Sequence, residues 1–232
     1  MLFFIIVDYN IIKFGRHNEQ NTDDERRIGV KLQKEFYSRD TITVAKELLG
    51  KILVHNYKGK LLKGKIVETE AYLGINDKAA HSYGGRKTKR VETMYGPPGV
   101  AYVYFIYGMY YCLNIVTQKE GIPEAVLIRA VEPIENIDLM AINRFKKPYE
   151  DLNQHQKKNL TNGPGKLCLA FNITKEEHNG MDLCGNKLYL EEGNRENFNI
   201  IETTRIGIDY AEEAKDFPYR FYIEGNPYVS VK

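Results

Sequence analysis

The run AYVYFIYGMYYCLNIVT, Ala101 to Thr117, is almost wholly aromatic, β-branched or aliphatic, and a single glycine, Gly108, interrupts it. Such residues pack well on a pleated surface, and a lone glycine supplies the positive φ that a tight reversal needs. The run therefore predicts two antiparallel strands with a hairpin tip near Tyr107-Gly108. Any fold open to this chain must be built around an antiparallel sheet.

The rest of the chain agrees from Phe36 onward. KILVHNY and LLKGKIVETEAY read as a hairpin reversing at Lys58-Gly59. Strict alternation in its second strand would put Leu62, Ile66, Glu68 and Glu70 on one side, so that two carboxylates continue an apolar face. EAVLIRAVEP is a further strand, and KLYLEE, IIETTRIGI and RFYIEGNPYVSV are short closing strands. Helical periodicity is sparser. TVAKELLG predicts a helix capped by Thr43 and ended at Gly50, with Ala45, Leu48 and Leu49 on one face. NIDLMAINRF turns Ile137, Met140 and Ala141 inward, and NGPGKLCLAFNI enters a helix with Pro164 in its first turn. KKPYEDLNQHQKKNL is expected as a polar surface loop. With no internal repeat and no regular alternation of helix and strand, the fold class is α+β with a mainly antiparallel sheet.

Residues 1–35 are expected to be an N-terminal extension, to which no function is assigned, ahead of a domain over 36–232. MLFFIIVDYNIIKF is broken by Asp8, Asn10 and Lys13 and is shorter than the roughly 20 apolar residues a bilayer span requires. It has no basic segment before it and no small-residue cleavage site after it, so it is read as an edge strand rather than a secretory signal. The polar stretch over 17–27 reads as a linker.

Charge announces no partner: 33 Lys and Arg face 31 Asp and Glu, a net +2. Any nucleic-acid footprint must therefore come from local clustering. Cys112, Cys168 and Cys184 form no CxxC pair, which argues against a disulfide framework and against structural zinc, and fits a reducing cytoplasm. GPGK at Gly163 to Lys166 lacks the spacing of a phosphate-binding P-loop, although a helix start there can face a phosphate.

Several constellations can carry chemistry, and each has a plainer reading. Glu68 and Glu70 on an apolar face would raise one another's pKa and prepare a general base, or they would simply be the solvated side of an edge strand. His81 is a catalyst or a hydrogen-bonded structural residue. Tyr102, Tyr104, Tyr107, Tyr110 and Tyr111 crowd around Gly108 as core or as a stacking platform for bases, while Phe105 is expected in the core. Arg129, on the side of Leu127 and Val131, must meet a carboxylate or an incoming phosphate. Arg86, Lys87, Lys89 and Arg90 form the one dense basic patch, a solvated loop or a phosphate contact.

Taken in order, SRDTITVAKELLGK, GKIVETEAYLG, AAHSYGGR, GPPGVAYVYFIYGMYYCLNIVT, PEAVLIRAVEP, GPGKLCLA, RIGI and RFYIEGNPYVS resemble the alkyladenine (3-methyladenine, methylpurine) DNA glycosylases over about Phe36 to Val231. The resemblance implies a single mixed domain with a curved antiparallel sheet and a protruding β-hairpin. It also implies an enzyme of base excision repair that flips alkylated or deaminated purines from duplex DNA and hydrolyses the N-glycosidic bond without cutting the strand. Carried over residue by residue, Glu70 is the base that activates water and Arg129 helps hold that water and a phosphate. Tyr72, His81 and Tyr104 enclose the flipped base, Asn114 discriminates against the exocyclic amino group of guanine, and Tyr107 is the wedge that fills the gap in the duplex. No metal and no organic cofactor is implied. The expected partner is double-stranded DNA containing damaged purines, with no membrane, and the expected state is a cytoplasmic monomer, associated with the nucleoid if the source is bacterial. Lys89-Arg90-Val91 departs from the family's usual Pro-Arg-Asn, which bears on phosphate contacts by Arg86 and Arg90. Val100 for His and Leu169 for Gln bear on packing. A nucleoside hydrolase would share the carboxylate and the aromatic box but have no use for Tyr107, and a module that only binds damage would not require Glu70.

Overall fold

A computed structural model describes residues 29–194 and 196–231; the expected edge strand and linker at the N-terminus lie outside the described residues. Strand composition becomes one antiparallel sheet of β1 (Ile52–Tyr57), β2 (Lys60–Tyr72), β3 (Ala101–Ile106), β4 (Tyr110–Thr117), β5 (Glu124–Glu135), β6 (Leu188–Glu191), β7 (Ile200–Thr203) and β8 (Arg220–Ile223). The main order is β3-β4-β5-β2-β1-β6, with β8 joined to β2 and β7 to β8. β2 organises it. Its first half pairs with β1, Glu68 to Glu70 pair with β8, and β5 borders its other edge. The sheet curves into a half-barrel within a single α+β domain.

Both predicted reversals form. Lys58 and Gly59 have φ of 52° and 79°, and Tyr107 and Gly108 have φ of 50° and 68°. Positive φ at both central residues is the turn geometry that matches the twist of the flanking strands.

Paired bulges break the alternation expected in β2. Ile66 pairs with Val131 and Glu68 with Ala130, leaving Val67 extra on β2; Thr69 then pairs with Ile128, leaving Arg129 extra on β5. A bulge re-aims the side chains beyond it. Val67 and Ala71 therefore join Leu62 and Ile66 in the core, and the Thr69 hydroxyl donates to the Ala45 carbonyl. Glu68 and Glu70 leave that apolar face instead of continuing it. Arg129 likewise shares the pocket side with Leu127, whereas Val131 belongs to the core.

Short helices cover the sheet: α1 (Lys34–Tyr37), α2 (Thr41–Glu47), α3 (Ile137–Phe145), α4 (Gln154–Lys158), α5 (Pro164–Phe171) and α6 (Lys175–His178). Asp40, not Thr43, caps α2, since its carboxylate accepts the Thr43 N–H at 2.8 Å. The supposed loop between α3 and α5 contains α4, started by a reciprocal cap in which Asn153 and Gln156 each accept the other's backbone N–H. Val44 of α2 and Leu48 just after it, Met140 of α3, and Leu167 and Phe171 of α5 pack with Leu113, Ile66 and Ile128 of the sheet. Full burial of each such side chain contributes about 1.5–3 kcal/mol. Phe105 is not in this core. Near the hairpin tip it is 44% exposed, with its ring against Tyr111. Among the described residues no helix is long and apolar enough to cross a membrane.

Candidate active site

The re-aimed carboxylates meet Arg129. Its Nε donates to Glu68 Oε1 and its Nη1 lies against Glu70 Oε1, each at 3.1 Å. A guanidinium thus sits between two carboxylates expected to repel one another. Both glutamates are fully buried, yet they are used differently. Glu68 accepts from Arg129 Nε, Arg220 Nη1, Ser230 N and Ser230 Oγ. Three of these converge on Oε1, and Ser230 N alone meets Oε2. Glu70 takes the Ile206 N–H on Oε1 and the Tyr72 hydroxyl on Oε2, both at 2.8 Å, besides Arg129. Its Oε2 therefore keeps a free acceptor site.

Tyr72, Arg129 and Ile206, which surround that carboxylate, also line a pocket of about 490 Å³. His81 and Tyr104 form another wall, their ring centroids 4.6 Å apart at 73°. Tyr72 stands apart from them, packed with Ile208 and Ala79. Burial, then the charge of Glu70, raise the Tyr72 phenol well above its usual range, so it stays a donor to the carboxylate. Burial, then Arg90 and Arg86, push His81 down to about 4, leaving its ring neutral at pH 7. His81 Nδ1 shares a 2.9 Å hydrogen bond with the Tyr102 hydroxyl. Asn114 is held by donation from Nδ2 to the Tyr102 carbonyl, at 3.2 Å. Cys112, also in the lining, is pushed up to about 11 by burial and is a thiol at neutral pH.

Tertiary structure thus brings Tyr72, His81, Tyr104, Asn114, Tyr107 and Arg129 to one pocket, with Glu70 directly behind its wall. The basic loop divides. Arg90 reaches the pocket, its guanidinium 5.6 Å from the Tyr104 ring centre, while Arg86 is exposed and touches His81 only through its charge. Tyr107 occupies the hairpin tip, 81% exposed. Sequence reasoning missed Ile206, Arg205, Arg220 and Ser230. All lie in stretches singled out above, but a backbone donor and a buried ion pair carry no compositional signature. Among the described residues no three His, Cys, Asp or Glu side chains gather as a metal site.

Comparison with known proteins bears on the family resemblance. A family model described as "Methylpurine-DNA glycosylase (MPG)" matches residues 35–227. A relative from Clostridium acetobutylicum is 65% identical over 202 residues, covering 87% of this chain and 98% of its own. One from Desulfitobacterium hafniense is 61% identical over 202 residues, covering 87% and 99%. One from Clostridium tetani is 59% identical over 204 residues, covering 88% and 100%. Each carries the name "Putative 3-methyladenine DNA glycosylase". With the family's pattern matched over most of its length, this chain belongs to the methylpurine-DNA glycosylase family.

Proposed function

We propose that this protein is a monofunctional DNA glycosylase, in which water activated by Glu70 hydrolyses the N-glycosidic bond of an alkylated or deaminated purine flipped out of duplex DNA. The observation that carries the reading is the unequal surroundings of the two buried carboxylates. Arg220 and Ser230, which hold Glu68, do not line the aromatic pocket, whereas Tyr72, Ile206 and Arg129, which hold Glu70, do, and Glu70 Oε2 keeps an acceptor site on that side. A water held there is oriented by a carboxylate that also stabilises the positive charge developing on the sugar as the base departs. Arg129 keeps that carboxylate placed and offers positive charge to a backbone phosphate.

Tyr72, His81 and Tyr104 stack on the flipped base. Electron-rich rings bind cations by about 0.5–2 kcal/mol, which favours positively charged alkylpurines, and a neutral His81 does not repel them. Asn114, oriented by the Tyr102 carbonyl, discriminates against the amino group of guanine. Tyr107 has no packing reason for its exposed position, and a tyrosine at positive φ is strained. Both features suit a wedge that buries itself only between bases. Arg86 and Arg90 contact phosphates at the rim. In this reading the domain over 36–232 acts as a monomer on DNA in the cytoplasm, and 1–35 is an extension.

The test is Glu70→Gln on duplexes bearing 3-methyladenine, 7-methylguanine, hypoxanthine or ethenoadenine, with alkaline cleavage to report base release. Lesion binding should persist while the single-turnover rate falls by about 10²- to 10⁴-fold. Retention of more than a few per cent of the rate would remove Glu70 from the reaction. Turnover of free nucleosides by the wild type would point to a nucleoside hydrolase, and binding without base release to a passive damage sensor.

A further inference from the structure

Besides Arg129, two groups clamp Glu70, one on each oxygen, and one further buried arginine stands behind both. Arg205 immediately precedes Ile206, whose N–H donates to Oε1. Its guanidinium also lies 4.8 Å from the centre of the ring of Tyr72, whose hydroxyl donates to Oε2. Four further contacts hold that guanidinium. Nη1 and Nη2 donate to the two oxygens of Asp77 at 2.5 and 2.8 Å, and the carbonyls of Ala71 and Ala214 accept from them at 2.9 and 3.1 Å. Tyr219 lies beside it, its ring centre 5.3 Å away. Asp77 is pinned in turn by the N–H groups of Leu73 and Ala79. The Arg205 side chain has no exposed surface.

We infer that Arg205, locked by Asp77, is a positioning residue that fixes the rotamer of Glu70 through Tyr72 and the Ile206 N–H. The inference rests on the reading of Glu70 as the general base. Planarity is essential to the arrangement. A guanidinium binds a carboxylate with two parallel donors while its faces lie flat against aromatic rings, and an ammonium can do neither. Arg205→Lys therefore preserves the charge but frees the Tyr72 ring and the 205–206 backbone to shift. Displacement by about 1 Å at a reacting group is enough to cost on the order of 100-fold in rate.

The test is a double-mutant cycle between Arg205→Lys and Glu70→Gln. It is read by single-turnover base release and by binding to a duplex whose lesion sugar carries 2′-fluorine and resists hydrolysis. Arg205→Lys alone should slow release by about 10- to 100-fold while leaving affinity for the fluorinated duplex within about threefold. In the Glu70→Gln background the same substitution should cost nothing further, because its effect passes through the missing carboxylate. Wild-type release by Arg205→Lys, or an equal loss in both backgrounds, would overturn the inference while leaving Glu70 in place. An active Glu70→Gln would overturn the underlying reading instead. Should the lysine variant not fold, the wild-type protein decides. Arg205 guanidinium protons should exchange slowly and show ring-current shifts from Tyr72 and Tyr219 in nitrogen-resolved NMR, and a freely rotating, unshifted guanidinium refutes the arrangement.

Discussion

Replacing Tyr107 by asparagine should separate the protein's stability from its function. The tyrosine is 81% exposed and has φ of 50°, at the first central position of a turn that normally takes asparagine before glycine. Left-handed backbone costs an ordinary residue roughly 1–2 kcal/mol, of which asparagine escapes a part. So little of the ring is packed that its removal forfeits almost no burial. Tyr107→Asn is therefore expected to leave folding stability unchanged or raise it by about 0.5–1 kcal/mol, a Tm increase of up to about 4 °C for a chain of this size. On DNA the balance reverses. Loss of one stacking partner worth about 1–3 kcal/mol should lower the flipping equilibrium by about five- to 150-fold, most for lesions that still pair well. Thermal unfolding monitored by circular dichroism gives the first quantity; 2-aminopurine fluorescence beside the lesion, with single-turnover rates, gives the second. A clear fall in Tm would mean that the ring packs in the free protein, and flipping equal to wild type would refute the wedge.

Acid should destabilise the fold through its buried histidines. Burial lowers His55, and burial with the neighbouring His55 brings His178 down to about 4, as burial with Arg90 and Arg86 does for His81. The unfolded chain then takes up protons near 6.5 while the folded chain does not. Stability from these groups is complete above about pH 6.5, declines as pH falls toward about 4 and levels off below, with His81 contributing at most about 3 kcal/mol. Urea unfolding from pH 7.5 to 4.5 checks this, and a flat profile would contradict it. Base release should leave the strand uncut, because no lysine lines the pocket among the described residues to form a Schiff base with the opened sugar. A covalent adduct trapped by borohydride would contradict that expectation.

Local pattern carried far in this chain. The aromatic run around Gly108 specified β3, β4 and their turn, because alternating packing and a positive-φ reversal are properties of neighbours in sequence. The same holds for the hairpin at Lys58-Gly59 and for the inward face of α3. It failed in β2, where alternation put Glu68 and Glu70 beside Leu62 and Ile66. A bulge depends on how two strands are registered, and nothing within β2 announces it. Phe105 failed for a related reason, since a strand's own pattern does not show which of its residues the rest of the fold covers.

Sequence by itself determined the antiparallel framework, its reversals and, through residue-by-residue resemblance, the set of side chains to examine. Only tertiary structure decided what each can do. Glu68 and Glu70 are chemically alike and two positions apart. One is held by Arg220 and Ser230, residues 152 and 162 positions away and outside the pocket lining, and the other is clamped through Ile206, 136 positions away and in that lining. Arg86 and Arg90 belong to one basic run, yet only Arg90 reaches the pocket. The physical reason is common to both cases. Hydrogen bonding and desolvation are set by what surrounds a group in space, and those surroundings come from segments far apart in the chain.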